Sequence, residues 1–159
     1  MSLHCIRLPG TEFGGRGPVS GSGATTEREA RCGCGVFRVT VSGEPLEICA
    51  CSCLNCQRES GGAFTYEALY PKSGVSAVGE RTTWRRHVDS GRWLETDFCP
   101  VCGVAVCTRM EAFPEMVSVS VGCFADPDFP LPERLYWASR CHRWLKFPEG
   151  TELVETQTR

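Results

Sequence analysis

No stretch of this sequence approaches the roughly 18 to 20 consecutive apolar residues of a membrane span. Nothing at its N-terminus joins a basic region to a long apolar run, as an export signal does. The expectation is therefore a soluble, cytoplasmic protein with no membrane partner. Positive charge is not in excess: 17 Lys and Arg stand against 19 Asp and Glu, a net charge of −2. No basic stripe is interleaved with aromatic residues, so nucleic acid is not expected as the main partner. Pairs such as Arg85-Arg86 read as a solvated strand face. Long amphipathic helical periods are almost missing as well, which leaves short alternating segments and an all-β domain. At 159 residues the chain is expected to form one domain, large enough to bury a core without disulfide staples.

Cysteine, by contrast, is abundant, with 12 in the chain. In a reducing compartment such a count points to metal rather than to disulfides. The densest group is Cys51-Ser52-Cys53-Leu54-Asn55-Cys56, a C-x-C-x2-C run whose thiols can converge on one point. A soft divalent ion, zinc above all, is its natural occupant. The run offers three ligands where tetrahedral zinc takes four, and it holds no His, Asp or Glu to complete the set. Closed zinc sites are structural, whereas open ones do chemistry.

Residues 1 to 28 are rich in Gly and Ser without strand or helix periodicity and read as a flexible extension. The fold is expected over 29–150. It opens at Arg31-Cys32-Gly33-Cys34-Gly35, where glycines let the backbone turn and aim both thiolates inward. Alternation predicts strands over 36–41, 46–50, 63–70, 82–88, 92–98, 104–108, 116–121 and 134–140, with Asp89-Ser90-Gly91 as a hairpin turn. After Cys56 only about one helical turn, Gln57 to Ser60, fits before Gly61-Gly62. Phe98-Cys99-Pro100-Val101-Cys102-Gly103 has the C-P-x-C-G form of a zinc knuckle. Residues 151–159 read as a polar tail.

Cys32-x-Cys34 and Cys99-x2-Cys102 are each two-ligand halves, and joined they make a four-thiolate site that cross-links distant parts of the chain. Four thiolates around one zinc ion leave no vacancy, so this site is expected to be structural. Cys51, Cys53 and Cys56 remain as the second set. Cys49 is the alternative fourth thiolate there, although strand alternation puts it on the same face as Cys51 and roughly 6.5 Å away. Cys107 and Cys123 stand in apolar contexts and are expected to behave as small hydrophobes.

Three cysteine motifs in register carry a family resemblance: Cys32-Gly33-Cys34-Gly35 before a strand, Cys51 to Cys56 continuing as Gln57-Arg58-Glu59-Ser60-Gly61-Gly62-Ala63-Phe64, and Phe98 to Gly103. With Val121 to Pro130 and His142-Arg143-Trp144, the sequence resembles the glutathione-dependent formaldehyde-activating enzyme family, which includes centromere protein V, over about residues 30 to 148. Arg143 stands where the family often has proline. The resemblance implies short, coiled antiparallel β-sheets around a structural zinc, a fold shared with guanine-nucleotide-exchange chaperones and B-type methionine sulfoxide reductases. It implies two zinc ions, a structural one on Cys32, Cys34, Cys99 and Cys102 and a catalytic one on Cys51, Cys53 and Cys56. The implied reaction is that of a carbon–sulfur lyase, joining glutathione or a related thiol to formaldehyde or another small aldehyde as S-(hydroxymethyl)glutathione. Arg58 is a candidate partner for a substrate carboxylate, and His87 and His142 are candidate proton carriers. A non-catalytic zinc module that binds a partner macromolecule is the alternative; a B-type methionine sulfoxide reductase ranks third, because it leaves the C-x-C-x2-C run unexplained.

Overall fold

A computed structural model describes residues 26–88 and 91–157 of the chain. Among these residues the strands, in chain order, are β1 (Glu27–Arg31), β2 (Arg38–Ser42), β3 (Glu47–Cys51), β4 (Thr65–Pro71), β5 (Val75–Val78), β6 (Thr82–His87), β7 (Trp93–Phe98), β8 (Ala105–Met110), β9 (Met116–Ser120), β10 (Arg134–Tyr136) and β11 (Glu152–Val154). One short helix, α1 (Leu54–Ser60), lies between β3 and β4. The fold is mainly β, as the short alternating segments require.

A three-stranded sheet has the order β1-β2-β5, and an eight-stranded sheet the order β11-β10-β3-β4-β9-β8-β7-β6. The register of the larger sheet sorts its side chains into two faces. Ile48 lies opposite Ala68, Ala68 opposite Val119, and Val119 opposite Cys107. This apolar row meets Val39 and Val41 of the small sheet, with Phe37, in one buried core. Each large aliphatic side chain buried there contributes roughly 1.5–3 kcal/mol. Cys107 and Cys123 belong to the same core, where burial pushes both thiols up to about 12. They are the small hydrophobes expected.

The opposite face is more polar. Cys51 lies across from Thr65, Cys49 from Glu67, and Glu67 from Ser120, while Ser118, Thr108 and Thr96 follow one another across the next strands. Alternation with a period of two thus carries one row of core and one row of hydrogen-bonding groups across the same strands. Beyond Glu67 and Ser118, the hydroxyls of Thr96 and Thr108 stand 3.1 Å apart.

Four departures from the sequence-based expectation follow from pairing, burial and backbone conformation. β1 takes in Glu27 and Arg28, which had been read into the extension; only Ala30 of this strand is buried, so its alternation carries almost no apolar signal. The remainder of that extension, up to residue 25, lies outside the described residues. β11 arises from the segment read as a polar tail and is held by parallel pairing to β10. β10 also runs parallel to β3, so the large sheet is mixed rather than antiparallel throughout. The strand expected over 134–140 stops at Tyr136 because Trp137 takes a left-handed conformation with φ 59°.

The edge strand β6 carries charge, as exposed edges commonly do. Arg85, Glu95 and Arg109 form a cross-strand row of alternating sign, with Arg85 to Glu95 at 2.6 Å and Arg109 to Glu95 at 3.3 Å. Arg86 is different. Its side chain is only 9% exposed and faces Glu59 of α1 at 3.6 Å, so it is no part of a solvated face.

Gly79 follows β5 with φ +93°, and a Cβ there would stand 1.8 Å from the carbonyl oxygen of Val36. Backbone cannot retreat from such a contact as a flexible side chain can. Gly79→Ala is expected to lower stability by about 2–4 kcal/mol, through the clash and the strained φ together. Denaturant titration checks this, and an unchanged midpoint would remove the close approach from the account.

Candidate metal centres

Cys32, Cys34, Cys99 and Cys102 bring their sulfurs within 4.8 Å of one another. Two measured separations are 3.6 Å for Cys32 to Cys34 and 3.5 Å for Cys34 to Cys99. Thiolates about 2.3 Å from a tetrahedral zinc lie about 3.8 Å apart, so the donor set and its spacing fit that ion. Two similar turns produce the arrangement. In the first, the Cys32 amide donates to the Phe37 carbonyl and the Gly35 amide to the Cys32 carbonyl; in the second, Cys99 donates to Val104 and Gly103 to Cys99. Gly35 and Gly103 both have left-handed φ, +78° and +74°, which turns the chain back and brings amides to the sulfurs. The Phe37 amide donates to Cys32 Sγ at 3.3 Å.

Protonation is contested within this group. Backbone N–H groups of Val104 and Cys34 hold Cys102 down at about 6. The Val36 backbone favours ionisation of Cys34 too, but Cys99, burial, Cys32 and Cys102 together outweigh it and push Cys34 up to about 12. Four sulfurs this close cannot all be thiolates without a cation, and a divalent metal removes the conflict.

The second group comprises Cys51, Cys53 and Cys56, again within 4.8 Å of one another and all fully buried. Cys51 ends the buried strand β3. Cys53 caps α1, its sulfur accepting from the Cys56 amide at 3.3 Å, so the helix starts three residues before the turn expected from the sequence. Gln57 pins the helix by donating to the carbonyls of Ser52 at 2.7 Å and Arg140 at 3.1 Å. Leu69, Leu94, Met110 and Tyr136 enclose the thiols. Contact with Cys53, more than burial, pushes Cys51 up to about 12, and contact with Cys51 and Cys53 raises Cys56 well above the ordinary thiol range. Protons stay on such thiols until a metal displaces them.

Among the described residues no His, Cys, Asp or Glu joins this trio as a fourth ligand. Cys49 packs in the same buried cluster and on the same strand face, yet its sulfur stands outside the group. Exposure also separates the two sites. Cys34 and Cys102 of the four-cysteine group are exposed, whereas every member of the three-cysteine group is buried.

The other candidate residues lie elsewhere. Arg58 is exposed and turns back along α1 to the Leu54 carbonyl and Asn55 Oδ1. His87 is exposed with Nδ1 3.1 Å from the Gly91 carbonyl, and His142 is exposed beside Trp144. Neither histidine joins a cysteine group. Sequence reasoning passed over Glu59, Thr65 and Glu67, which the fold gathers beside the three-cysteine site. Glu59 accepts from Thr96 Oγ1 at 2.8 Å, and Glu67 accepts from Ser118 Oγ at 2.7 Å. Strand alternation already placed Thr65 and Glu67 on one face, but their neighbours come from β7 and β9.

Fold and sites together define a mainly β protein with two cysteine groups able to hold metal ions, one of four thiols and one of three. The chain belongs to the glutathione-dependent formaldehyde-activating enzyme family, whose model matches residues 27–144. A solved protein of Rhodobacter sphaeroides is 22% identical with a TM-score of 0.49, over 60% of this chain and 85% of that one. No curated protein matches the sequence. No helix among the described residues is long and apolar enough to cross a membrane.

Proposed function

We propose that the protein is a zinc-dependent carbon–sulfur lyase of the formaldehyde-activating type, which joins glutathione or a related thiol to formaldehyde or another small aldehyde in the cytoplasm. The observation that carries this reading is the buried trio Cys51, Cys53 and Cys56, with no fourth protein ligand among the described residues, in a chain of this family. In this reading Cys32, Cys34, Cys99 and Cys102 hold a structural zinc, and the trio holds the catalytic one. Metal bound at the trio lowers the pKa of a ligating thiol and keeps it as thiolate. The chain's own residues supply the frame. Cys53 fixes the helix start, Gln57 locks α1 against the Arg140 carbonyl, and the Leu69, Leu94 and Met110 side chains keep water from the sulfurs. A dry site strengthens attraction between charges.

In the reaction the substrate sulfur bonds to the aldehyde carbon, the C=O π pair moves to oxygen, and the thiol proton ends on that oxygen. Formaldehyde needs little activation, so positioning supplies most of the gain, and a Ser-His-Asp arrangement is not required.

Cobalt replacement tests the reading. Glutathione added to the cobalt-loaded chain is expected to increase thiolate-to-cobalt charge-transfer absorption, and Cys53→Ser to abolish the increase. Formaldehyde consumption with glutathione present should then be faster with the intact chain than with Cys53→Ser. A metal-loaded trio whose spectrum ignores glutathione would overturn the open site and leave the non-catalytic zinc module as the better reading.

A further inference from the structure

The face of the large sheet that does not carry the trio has a pocket of its own. Leu135 of β10 lies level with Ala50 of β3 on one side and with Leu153 of β11 on the other, whereas the next residue, Tyr136, belongs to the buried cluster around Cys51, Cys53 and Cys56. Side chains alternate across a strand, so Leu135 and Leu153 point away from the three-cysteine site. Residues between Ala138 and Thr151 supply the remaining walls of a cavity of about 360 Å³. Small-molecule sites commonly fall between about 300 and 1,000 Å³, with apolar walls and a few polar groups. Here Leu135, Phe147 and Leu153 give the apolar wall and His142, Arg143 and Lys146 the basic one, with no Asp or Glu in the lining. The edge contact with Phe64, at 5.4 Å between centroids, fixes the Phe147 ring. Leu135 is 1% exposed, but Leu153 is left open at 59%.

The three basic side chains stand without counter-charges. Arg85, Arg86, Arg109 and Arg134 each face a carboxylate, yet among the described residues none of His142, Arg143 and Lys146 takes part in an ion pair. Glu152 is nearby in the chain, but it is turned to Arg134 at 2.6 Å. Three basic groups gathered in five residues of a chain whose net charge is −2 do not follow from an excess of positive charge. We propose that this cavity binds a small carboxylate with an apolar body, an aromatic or branched aliphatic monocarboxylic acid, whose head meets Arg143, Lys146 and His142 and whose body lies on Leu135, Phe147 and Leu153. A guanidinium suits such a head because its N–H fork matches two carboxylate oxygens. An inorganic anion leaves the apolar wall bare, and an alcohol leaves the cations unpaired. Arg143 stands where the family often has proline, so this cation is the chain's own departure. The site needs neither metal nor thiol and stands apart from the lyase reading.

Calorimetry on the zinc-loaded full chain tests the site with benzoate, benzyl alcohol, phenyl phosphate and sulfate as probes. Benzoate is expected to bind about tenfold more tightly than benzyl alcohol, as for hydrogen bonds to charged groups. Raising the salt from about 0.01 M to about 1 M, which shortens the Debye length from about 30 Å to about 3 Å, should erase most of that preference. Arg143→Gln should also remove most of it while leaving benzyl alcohol unaffected, and Arg143→Lys, which keeps the charge without the fork, should retain part. Leu153→Asn should weaken benzoate and benzyl alcohol alike, several-fold. Arg143 and Leu153 are exposed, so the variants are expected to melt with the parent. Equal affinity for benzoate and benzyl alcohol, no binding of either, or an Arg143→Gln loss shared by both would overturn the assignment. Sulfate binding as tightly as benzoate would reduce the site to a general attraction for anions and remove the apolar half. Tighter binding of phenyl phosphate than of benzoate would reject the carboxylate as its ligand.

Discussion

Cys99→Ser is expected to leave the chain largely unfolded at physiological temperature, whereas Cys53→Ser leaves it folded with a smaller loss of stability. Structural zinc in zinc-finger peptides contributes apparent binding free energies of about 10–16 kcal/mol near neutral pH, comparable with or above the whole stability of a typical domain. Cys99 belongs to the core that joins the two sheets, and its sulfur is 3.5 Å from that of Cys34, so the site ties the start of β2 to the turn before β8. The trio at Cys51 to Cys56 is confined to one strand end and the helix that follows. Its metal closes only a short loop, and chain entropy gains little from that. Thermal melts of both variants, with zinc per chain measured on each, check the division. Equal destabilisation would show that both sites hold the fold and would remove the distinction on which the catalytic assignment rests.

The second large effect concerns Glu67. Burial pushes its carboxyl up to about 8 from an ordinary 4.5, with Ser118 opposing and Glu59 adding to the rise. An acid whose pKa is higher folded than unfolded binds more protons in the folded state between those values. Its favourable contribution is therefore complete below pH 4.5 and is lost as pH rises through about 8. Glu67→Gln keeps an uncharged side chain at every pH and removes this loss. The variant is expected to match the parent in acid and to exceed it in stability above pH 8 by several kcal/mol, about 5 at most from a shift of this size. Denaturant midpoints measured across that window decide the matter. A variant that follows the parent at every pH would mean that Glu67 has a cation or water partner at its carboxyl.

Much of the fold was legible because alternation marks strands that bury one face. β2, β4, β7, β8 and β9 fall within a few residues of their expected bounds, and so do β3, which is buried throughout, and β6, none of whose residues is buried. β1, β5 and β11 escaped because each is short and none buries a full apolar face. Their existence is settled by pairing, which a period of two cannot reveal. Trp137 ended β10 early through a left-handed backbone that a bulky residue seldom adopts.

The sequence by itself determined which cysteines can share a metal. C-x-C, C-x2-C and C-x-C-x2-C spacings limit how far sulfurs can diverge, and glycines at 35 and 103 set the turns. That the two distant halves join into one four-thiol group was the preferred pairing on the same counting, with others open, and the fold brings the four sulfurs within 4.8 Å of one another. Only the tertiary structure decided what surrounds the groups. It put Cys49 beside the trio without bringing its sulfur in, exposed two thiols of the four-cysteine group, and buried the whole trio. It also turned Arg86 inward to Glu59 and set Glu59, Glu67 and Thr65 around a common cavity. Those residues come from a helix and two strands whose spacing along the chain says nothing about their meeting; burial, charge pairing and protonation depend on neighbours that only the packed sheets bring within reach.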